Sequence, residues 1–448
     1  MTLLTSLPAA GQFRLTGSGQ WRSAFAVTEL ANASIGAVGQ ELARLIKALN
    51  LSPAAPDVAV DQRMASLWFG YSFRPTGWEL PSLWDEIAGV YETQDGWIRL
   101  HTNLPHHRRA ALQVLGSVAT REAVAAEVQH WQADSLESET VAAGGVAAAM
   151  RSRADWLAHP QGHAVASEPL IHWIAPAPLR LRERSEATAE RPLAGLRVLD
   201  LTRVLAGPVS TRTLAGFGAN VLRIDPPGWD EPGVITDISL GKRMAALDLA
   251  KGKDRLVFET LLAQADVLVH GYRPGALDRL GYDPGTRRQL AASAVEVTLD
   301  AYGWTGPWAM RRGFDSLVQM SAGIADAGRD WAGTNRPHPL PVQALDHATG
   351  YLMAAAVLSA LAAAAHREAV PTARLSLART AELLAGMCKS AEGQDITGPE
   401  DSDWSPHIET SGWGPGRRLA APLTLNGTAM HWELPATRCG SAAAAWLD

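Results

Sequence analysis

Short unbroken apolar runs recur between Leu196 and Leu299, each followed by a turn and then by helically spaced apolar positions. Leu196–Leu201 reads as a buried strand, and Gly207 and Pro208 open a helical stretch to Leu214. Val221–Asp225 is the next strand, cut off by Pro226, Pro227 and Gly228. Met244–Leu249 is a third, followed by a helix over Asp254–Ala263; Asp266–His270 and Ala294–Leu299 are the fourth and fifth. Strict alternation of strand and helix predicts a parallel sheet with helices on both faces. Ligands of such sheets sit beyond the carboxyl ends of the strands. Those ends carry Thr202, Arg203 and Val204, then Asp225, then Gly271–Gly275, then Tyr302 and Gly303. No G-x-G-x-x-G follows the first strand, so a dinucleotide fingerprint is missing.

The flanking regions have different periods. An Asp95-Gly96 turn joins likely strand runs Gly89–Thr93 and Trp97–His101, and helical stretches follow at 107–116, 120–133 and 150–158. Towards the other end an apolar helix runs over Ala348–Ala365 and leads into a strand-to-helix passage at Arg374–Leu383. The same order occurs near the start, where Val27–Asn32 leads into an apolar helix and Val58–Leu67 repeats the passage at matching spacing. Matched spacing favours a duplication, with Glu29 standing where Asp346 stands. The chain therefore divides into a partial repeat of the Asp346 helix region (1–75), a small α/β domain (76–174) and a Pro-, Arg- and Glu-rich linker (175–191). The parallel-sheet domain (192–395) and a tail packing back on the core (396–448) complete it. The fold class is α/β, a Rossmann-like parallel sheet plus a smaller α/β domain.

With 448 residues, 47% of them hydrophobic and 19% charged, the chain can bury more than one core. A net charge of −6 argues against nucleic acid or anionic membrane as a partner. The start lacks a secretory pattern, and Tyr351–Ala365 is shorter than the roughly 20 residues that span a bilayer. A cytoplasmic protein without a membrane segment is expected. Cys388 and Cys439 offer no disulfide framework, and His106, His107, His159 and His163 lack ligand spacing, so no metal is expected. Lys242, Lys251 and Lys253 cluster beside Arg243, either to meet phosphates or as a solvated edge.

The candidate chemistry centres on Asp346. A carboxylate at a helix start faces unpaired N–H groups and the positive end of the macrodipole, which predicts that it stays ionised. Beside small Ala348 and Gly350 it can attack a thioester, or it can simply cap the helix.

Several stretches resemble the class III CoA-transferase (CaiB/BaiF) family in that family's order: Pro192–Pro208, Gly218–Asp225, Gly241–Arg243, Ala265–Val269, Tyr272–Gly281, Tyr302–Pro307, Gly313–Asp315 and the Asp346 helix. Residues 76–174 are similar to the family's small domain, here preceding the sheet domain instead of following it. The resemblance implies coenzyme A and acyl-CoA as substrates, no permanently bound cofactor, and transfer of CoA to a carboxylic acid through acyl-aspartyl and aspartyl-CoA intermediates on Asp346. It places Val204 and Arg279 against CoA. Lys242, Arg243 and Arg273 are expected to compensate for Pro226, which stands where the family carries an arginine. Leu205, Tyr302, Phe314, Asp315 and Gly350 are the expected substrate pocket, with N–H groups near Ala348–Gly350 as oxyanion donors. A 2-methylacyl-CoA racemase is one alternative, disfavoured because Phe314 cannot carry the second proton. An inactive CoA-binding scaffold is the other. A homodimer is the assembly the resemblance allows.

Overall fold

The computed structural model describes all residues except 1–2, 9–10, 117–119, 179–181, 367–368, 390–392, 427 and 448. A 22-residue helix, α1 (Val27–Ala48), opens the packed part of the chain. The largest sheet is built from β1 (His172–Pro178), β2 (Arg197–Leu201), β3 (Asn220–Asp225), β4 (Lys242–Ala246), β5 (Val267–His270), β6 (Val295–Asp300) and β7 (Ala369–Ser376). Its order is β4-β3-β2-β5-β6-β7-β1, with β2 to β7 parallel and β1 antiparallel on the edge. The order reverses between β2 and β5, the place where doubly wound sheets open a crevice. Two parts of this sheet depart from the sequence reading. The segment expected as a linker begins inside β1, because prolines cannot donate to a ladder yet are tolerated on an edge strand. The third strand starts at Lys242, not Met244, so a lysine lies inside the core.

Four helices carry the rest of the site: α2 (Ala206–Ala215), α3 (Asp315–Ser321), α4 (Ala344–Ala365) and α5 (Leu377–Ala385). The sequence placed the start of α4 at Ala348; the helix begins four residues earlier, which puts Asp346 inside its first turn. At 22 residues α4 is long and apolar enough to cross a membrane by length and composition, but here nearly all of it is buried as the central core helix. Its alanines let α1 and α2 pack closely against it. At Gly350 an added Cβ would lie 2.4 Å from the Ala206 carbonyl oxygen, so only glycine permits the crossing with α2.

The N-terminal repeat has the same order as α4, β7 and α5: α1 is followed by strand Val58–Asp61 and helix Gln62–Leu67. Both short helices are capped by the last strand residue. Asp61 accepts from the Met64 N–H at 2.9 Å, and Ser376 accepts from the Arg379 N–H at 3.2 Å. Strand Val58–Asp61 pairs with Arg14–Thr16 and with Leu423–Leu425 of the tail. Strand Gly414–Leu419 of the tail pairs with Phe73–Pro75. The small unit is an antiparallel sheet of Gly89–Glu92, Trp97–Leu100 and Ala147–Ala149. Its helices include Pro105–Leu115, Arg121–Val128 and Ala133–Ala142, so the stretch predicted at 120–133 gives way to two helices.

Candidate active site

Asp346 lies in the first turn of α4 and is 8% exposed. It does not cap that helix; the N-cap is Gln343, and the Asp346 N–H instead donates to Asp315 Oδ2 at 2.9 Å. Asp315 is the first residue of α3 and also accepts from Gln319 Nε2 at 2.5 Å and from the Leu345 N–H. The Asp346 carboxyl has one backbone donor that favours its charge, the N–H of Ala206, the first residue of α2. The expected donors at Ala348–Gly350 do not serve it, since those N–H groups belong to the interior of α4. Ionisation is also less secure than a helix start suggests. Burial, then the Asp315 charge, push the Asp346 carboxyl well above the ordinary range, and burial raises Asp315 to about 6. Two carboxyls this close titrate as a pair. The better hydrogen-bonded Asp315 releases its proton more readily.

Two cavities meet at Asp346. One, of about 530 Å³, is lined by Phe69, Trp84, His101, Val342 and Asp315, among others. The other, of about 390 Å³, opens at the carboxyl ends of β2, β5 and β6. Asp346, Leu104, Val204, Leu205 and Phe314 line both. The second cavity is cationic. Arg203 lies 4.1 Å over the Trp229 ring and 4.7 Å over the Tyr272 ring, and donates to the Tyr272 hydroxyl at 2.9 Å. Arg273, Arg279 and Arg312 stand close enough that burial and then the first two guanidinium groups lower the pKa of Arg312. Converging arginines with few acidic neighbours suit a polyphosphate.

The loop between β2 and α2 is strained. Val204 has φ of 64°, a conformation that a β-branched side chain resists, and its N–H donates to Glu231 Oε1 at 2.7 Å. Glu231 is held in turn by Arg223 at 2.7 Å. This fixed loop delivers Leu205 and the Ala206 N–H to Asp346. The opposite wall comes from the small unit, through Trp84, His101, Leu104, His106 and His107. Phe314 stacks on His101 with ring centroids 4.0 Å apart, and burial holds that imidazole neutral, its pKa pushed down to about 3.

Of the residues expected from sequence, Asp346, Val204, Leu205, Phe314, Asp315, Arg273 and Arg279 come together around these cavities. The others do not. Lys242 is fully buried at the amino end of β4, 3.0 Å from Asp200, so it cannot reach a nucleotide; burial lowers its pKa to about 8. Arg243 donates to the Ala443 and Ala445 carbonyls of the tail. Tyr302 is core, its hydroxyl 3.2 Å from Ser321 Oγ and its carbonyl accepting from Gln161. Gly350 serves the α2–α4 crossing and lines neither cavity. Glu29, in the first turn of α1, is likewise outside both cavities. His106 and His107, expected at the surface or in structural roles, line the cationic cavity. Sequence reasoning missed Trp229 and Arg312 as lining residues. It had Arg203 and Tyr272 at strand ends, and the rule about strand carboxyl ends was the signal that could have selected them. No group of three or more His, Cys, Asp or Glu able to hold a metal occurs among the described residues.

Comparison with known proteins bears on the same region. Residues 193–407 match the model of CoA-transferase family III. An acetyl-coenzyme A transferase of Hypoxylon pulicicidum is 37% identical over 180 residues, 39% of this chain and 30% of that protein. The succinyl-CoA:glutarate CoA-transferase of Homo sapiens is 30% identical over 194 residues, 40% of this chain and 44% of that protein. The chain thus spans less than half the length of these curated relatives. A solved structure of a hypothetical protein from Mycobacterium tuberculosis is 30% identical, with a TM-score of 0.40 over 44% of this chain and 56% of that one. The matched stretch includes the parallel sheet's strands β2 to β7 and both carboxyl-bearing helices, so the likeness to CoA-transferase family III covers the residues that carry Asp315 and Asp346.

Proposed function

We propose that this protein moves CoA between an acyl-CoA and a carboxylic acid, with Asp346 as the covalent relay. One observation carries the reading: a carboxyl in the first turn of a buried helix borders two cavities at once, one cationic and one with a largely aromatic and aliphatic wall. The cationic cavity suits the nucleotide end of CoA, and the other suits the acyl group. An Asp346 oxygen attacks the thioester carbonyl and expels CoA thiolate, leaving a mixed anhydride. The thiolate then attacks the Asp346 acyl carbon, which releases the donor acid and leaves an aspartyl-CoA thioester. An acceptor carboxylate attacks that thioester and frees the thiolate again. The thiolate finally takes the acceptor acyl group from the second anhydride and regenerates the Asp346 carboxylate. Covalent division of the exchange into such steps is how a carboxylate catalyses it, and the Ala206 N–H is placed to stabilise charge on the Asp346 carboxyl as bonds form and break.

Hydroxylamine trapping tests this. Protein incubated with an acyl-CoA and then with hydroxylamine is expected to carry a hydroxamate at Asp346, read by peptide mass spectrometry. Asp346→Asn is expected to lose the adduct and the exchange while binding CoA within a few-fold. A variant that still exchanges CoA removes Asp346 from the reaction.

A further inference from the structure

A third, more open cleft of about 680 Å³ lies between the small antiparallel sheet and residues 334–338. Its arginines come from separate elements: Arg99 from strand Trp97–Leu100, Arg121 from the start of helix Arg121–Val128, and Arg336 from the loop. None of them forms an ion pair among the described residues. Asp85, the acid on this wall, is already engaged by Arg108 at 3.2 Å and by the Thr102 hydroxyl at 2.6 Å. A cleft lined by one sign of charge concentrates the opposite ion.

Arg99 is the decisive side chain. It is half-buried, its guanidinium lies 4.6 Å over the Trp84 ring, and its Nε is buried without a hydrogen-bond partner. Burial lowers its pKa to about 10, Asp315 raises it, and Arg121 stands near enough to lower it. The ring offsets part of the cost of withdrawing this charge from water, but it leaves the N–H donors unused. An anion in the cleft would meet both needs.

The other two arginines are held beside the same space. Arg121 donates to the Ala88 carbonyl at 3.1 Å and lies 5.3 Å over the Tyr91 ring. Gly89 leaves it room, since a Cβ there would lie 2.5 Å from Arg121 Nη2. Exposed Arg336 lies 5.7 Å over the Trp97 ring, and Asn335 adds an amide to the rim. A carboxylate presents two oxygens in one plane, which a single guanidinium fork satisfies. A phosphoryl group presents three oxygens around a tetrahedron and carries close to two charges, so it suits forks arriving from several elements. The volume leaves space for the organic part of an ester.

We infer that this cleft is a second anion site, in which Arg99, Arg121 and Arg336 receive a phosphoryl group, free or as a monoester. It is distinct from the cavity of Arg273, Arg279 and Arg312, with which it shares no lining residue. The site does not depend on what Asp346 does.

Calorimetry on the full chain tests it, with inorganic phosphate and glycerol 3-phosphate as probes and sodium acetate at equal ionic strength as the control. At least one phosphoryl ion is expected to bind about tenfold or more tighter than acetate, and the tighter of the two probes tells a free ligand from an esterified one. Arg99→Met keeps a long stem over Trp84 and removes the charge; it should weaken phosphoryl binding about tenfold or more. Arg336→Ala, at an exposed position that does not threaten folding, should weaken it a few-fold. The same ion should raise the melting temperature of the native chain and leave that of Arg99→Met in place. Arg279→Ala separates the two cationic regions, and phosphoryl affinity should survive it. Phosphate and glycerol 3-phosphate that bind no tighter than acetate overturn the inference. Affinity that Arg336→Ala and Arg99→Met leave unchanged, or that Arg279→Ala abolishes, overturns it as well, because the ion then sits elsewhere.

Discussion

Replacing Gly350 by alanine adds one methyl group at the crossing of α2 and α4. The new Cβ would stand 2.4 Å from the Ala206 carbonyl oxygen and 2.8 Å from Val209 Cβ. A carbon and a carbonyl oxygen settle at about 3.3–3.6 Å, so the two helices must separate by roughly 1 Å. The atom struck belongs to the backbone of the residue whose N–H serves Asp346, so rotating a side chain cannot relieve it. Alanine gains about 1 kcal/mol of helix propensity over glycine, while overpacking of this kind costs about 1–3 kcal/mol. Net destabilisation should lie between zero and about 2 kcal/mol, leaving a folded protein. Turnover should suffer far more, because a displacement of about 1 Å at a reacting group costs on the order of a hundredfold. Denaturant unfolding gives the first quantity, and initial rates of CoA exchange with hydroxamate yield at Asp346 give the second. Native turnover together with native stability in Gly350→Ala would refute the claim that this glycine sets the distance between α2 and the carboxyl.

The pair of carboxyls fixes a pH dependence. Because burial raises both and the Asp315 charge raises Asp346 further, the acid limb of the exchange rate should lie above the ordinary carboxylate range, and Asp315→Asn, by removing the like charge, should move it to lower pH. A limb that stays in place in that variant rules out coupling between the two. Raised folded-state values also mean that ionisation costs stability, a cost absent below about pH 4 and complete only above the raised values. Asp346→Asn should therefore melt higher than the native chain at pH above 7 and close to it near pH 4; the reverse order in a melting series contradicts the burial argument. Lys242→Met should lower stability by about 3–5 kcal/mol by stranding Asp200, with CoA affinity of the folded protein unchanged. Arg279→Ala should do the opposite, weakening CoA in a titration while stability stays within about 0.5 kcal/mol.

Much of the sheet was legible because buried parallel strands leave unbroken apolar runs, and β2, β3, β5 and β6 fell close to their observed positions. The failures have physical causes. Lys242 reads as surface until Asp200, distant in sequence, neutralises it inside the core. Proline suggested a linker at 175–191, although an edge strand needs fewer donors and the pairing of β1 with β7 begins three residues earlier. The start of α4 was set too late because Asp346, His347 and Thr349 look like the polar end of a helix. They are instead polar residues inside its buried first turns, where Thr349 bonds Thr380 at 2.7 Å and His347 stacks on Phe69. Asp346 itself was legible from local context, and strand-end positions pointed towards Arg203 and Tyr272. Trp84 and His101 gave no such signal, since only tertiary packing brings the small unit to the carboxyls.

The order of units along the backbone has a kinetic meaning. Both walls around Asp346 are drawn from one polypeptide, the small unit upstream and the sheet downstream, with the tail laced into the opening repeat. Bringing them face to face is therefore a first-order event in the life of each molecule, governed by how fast the chain threads and docks on itself. Dilution does not slow that step.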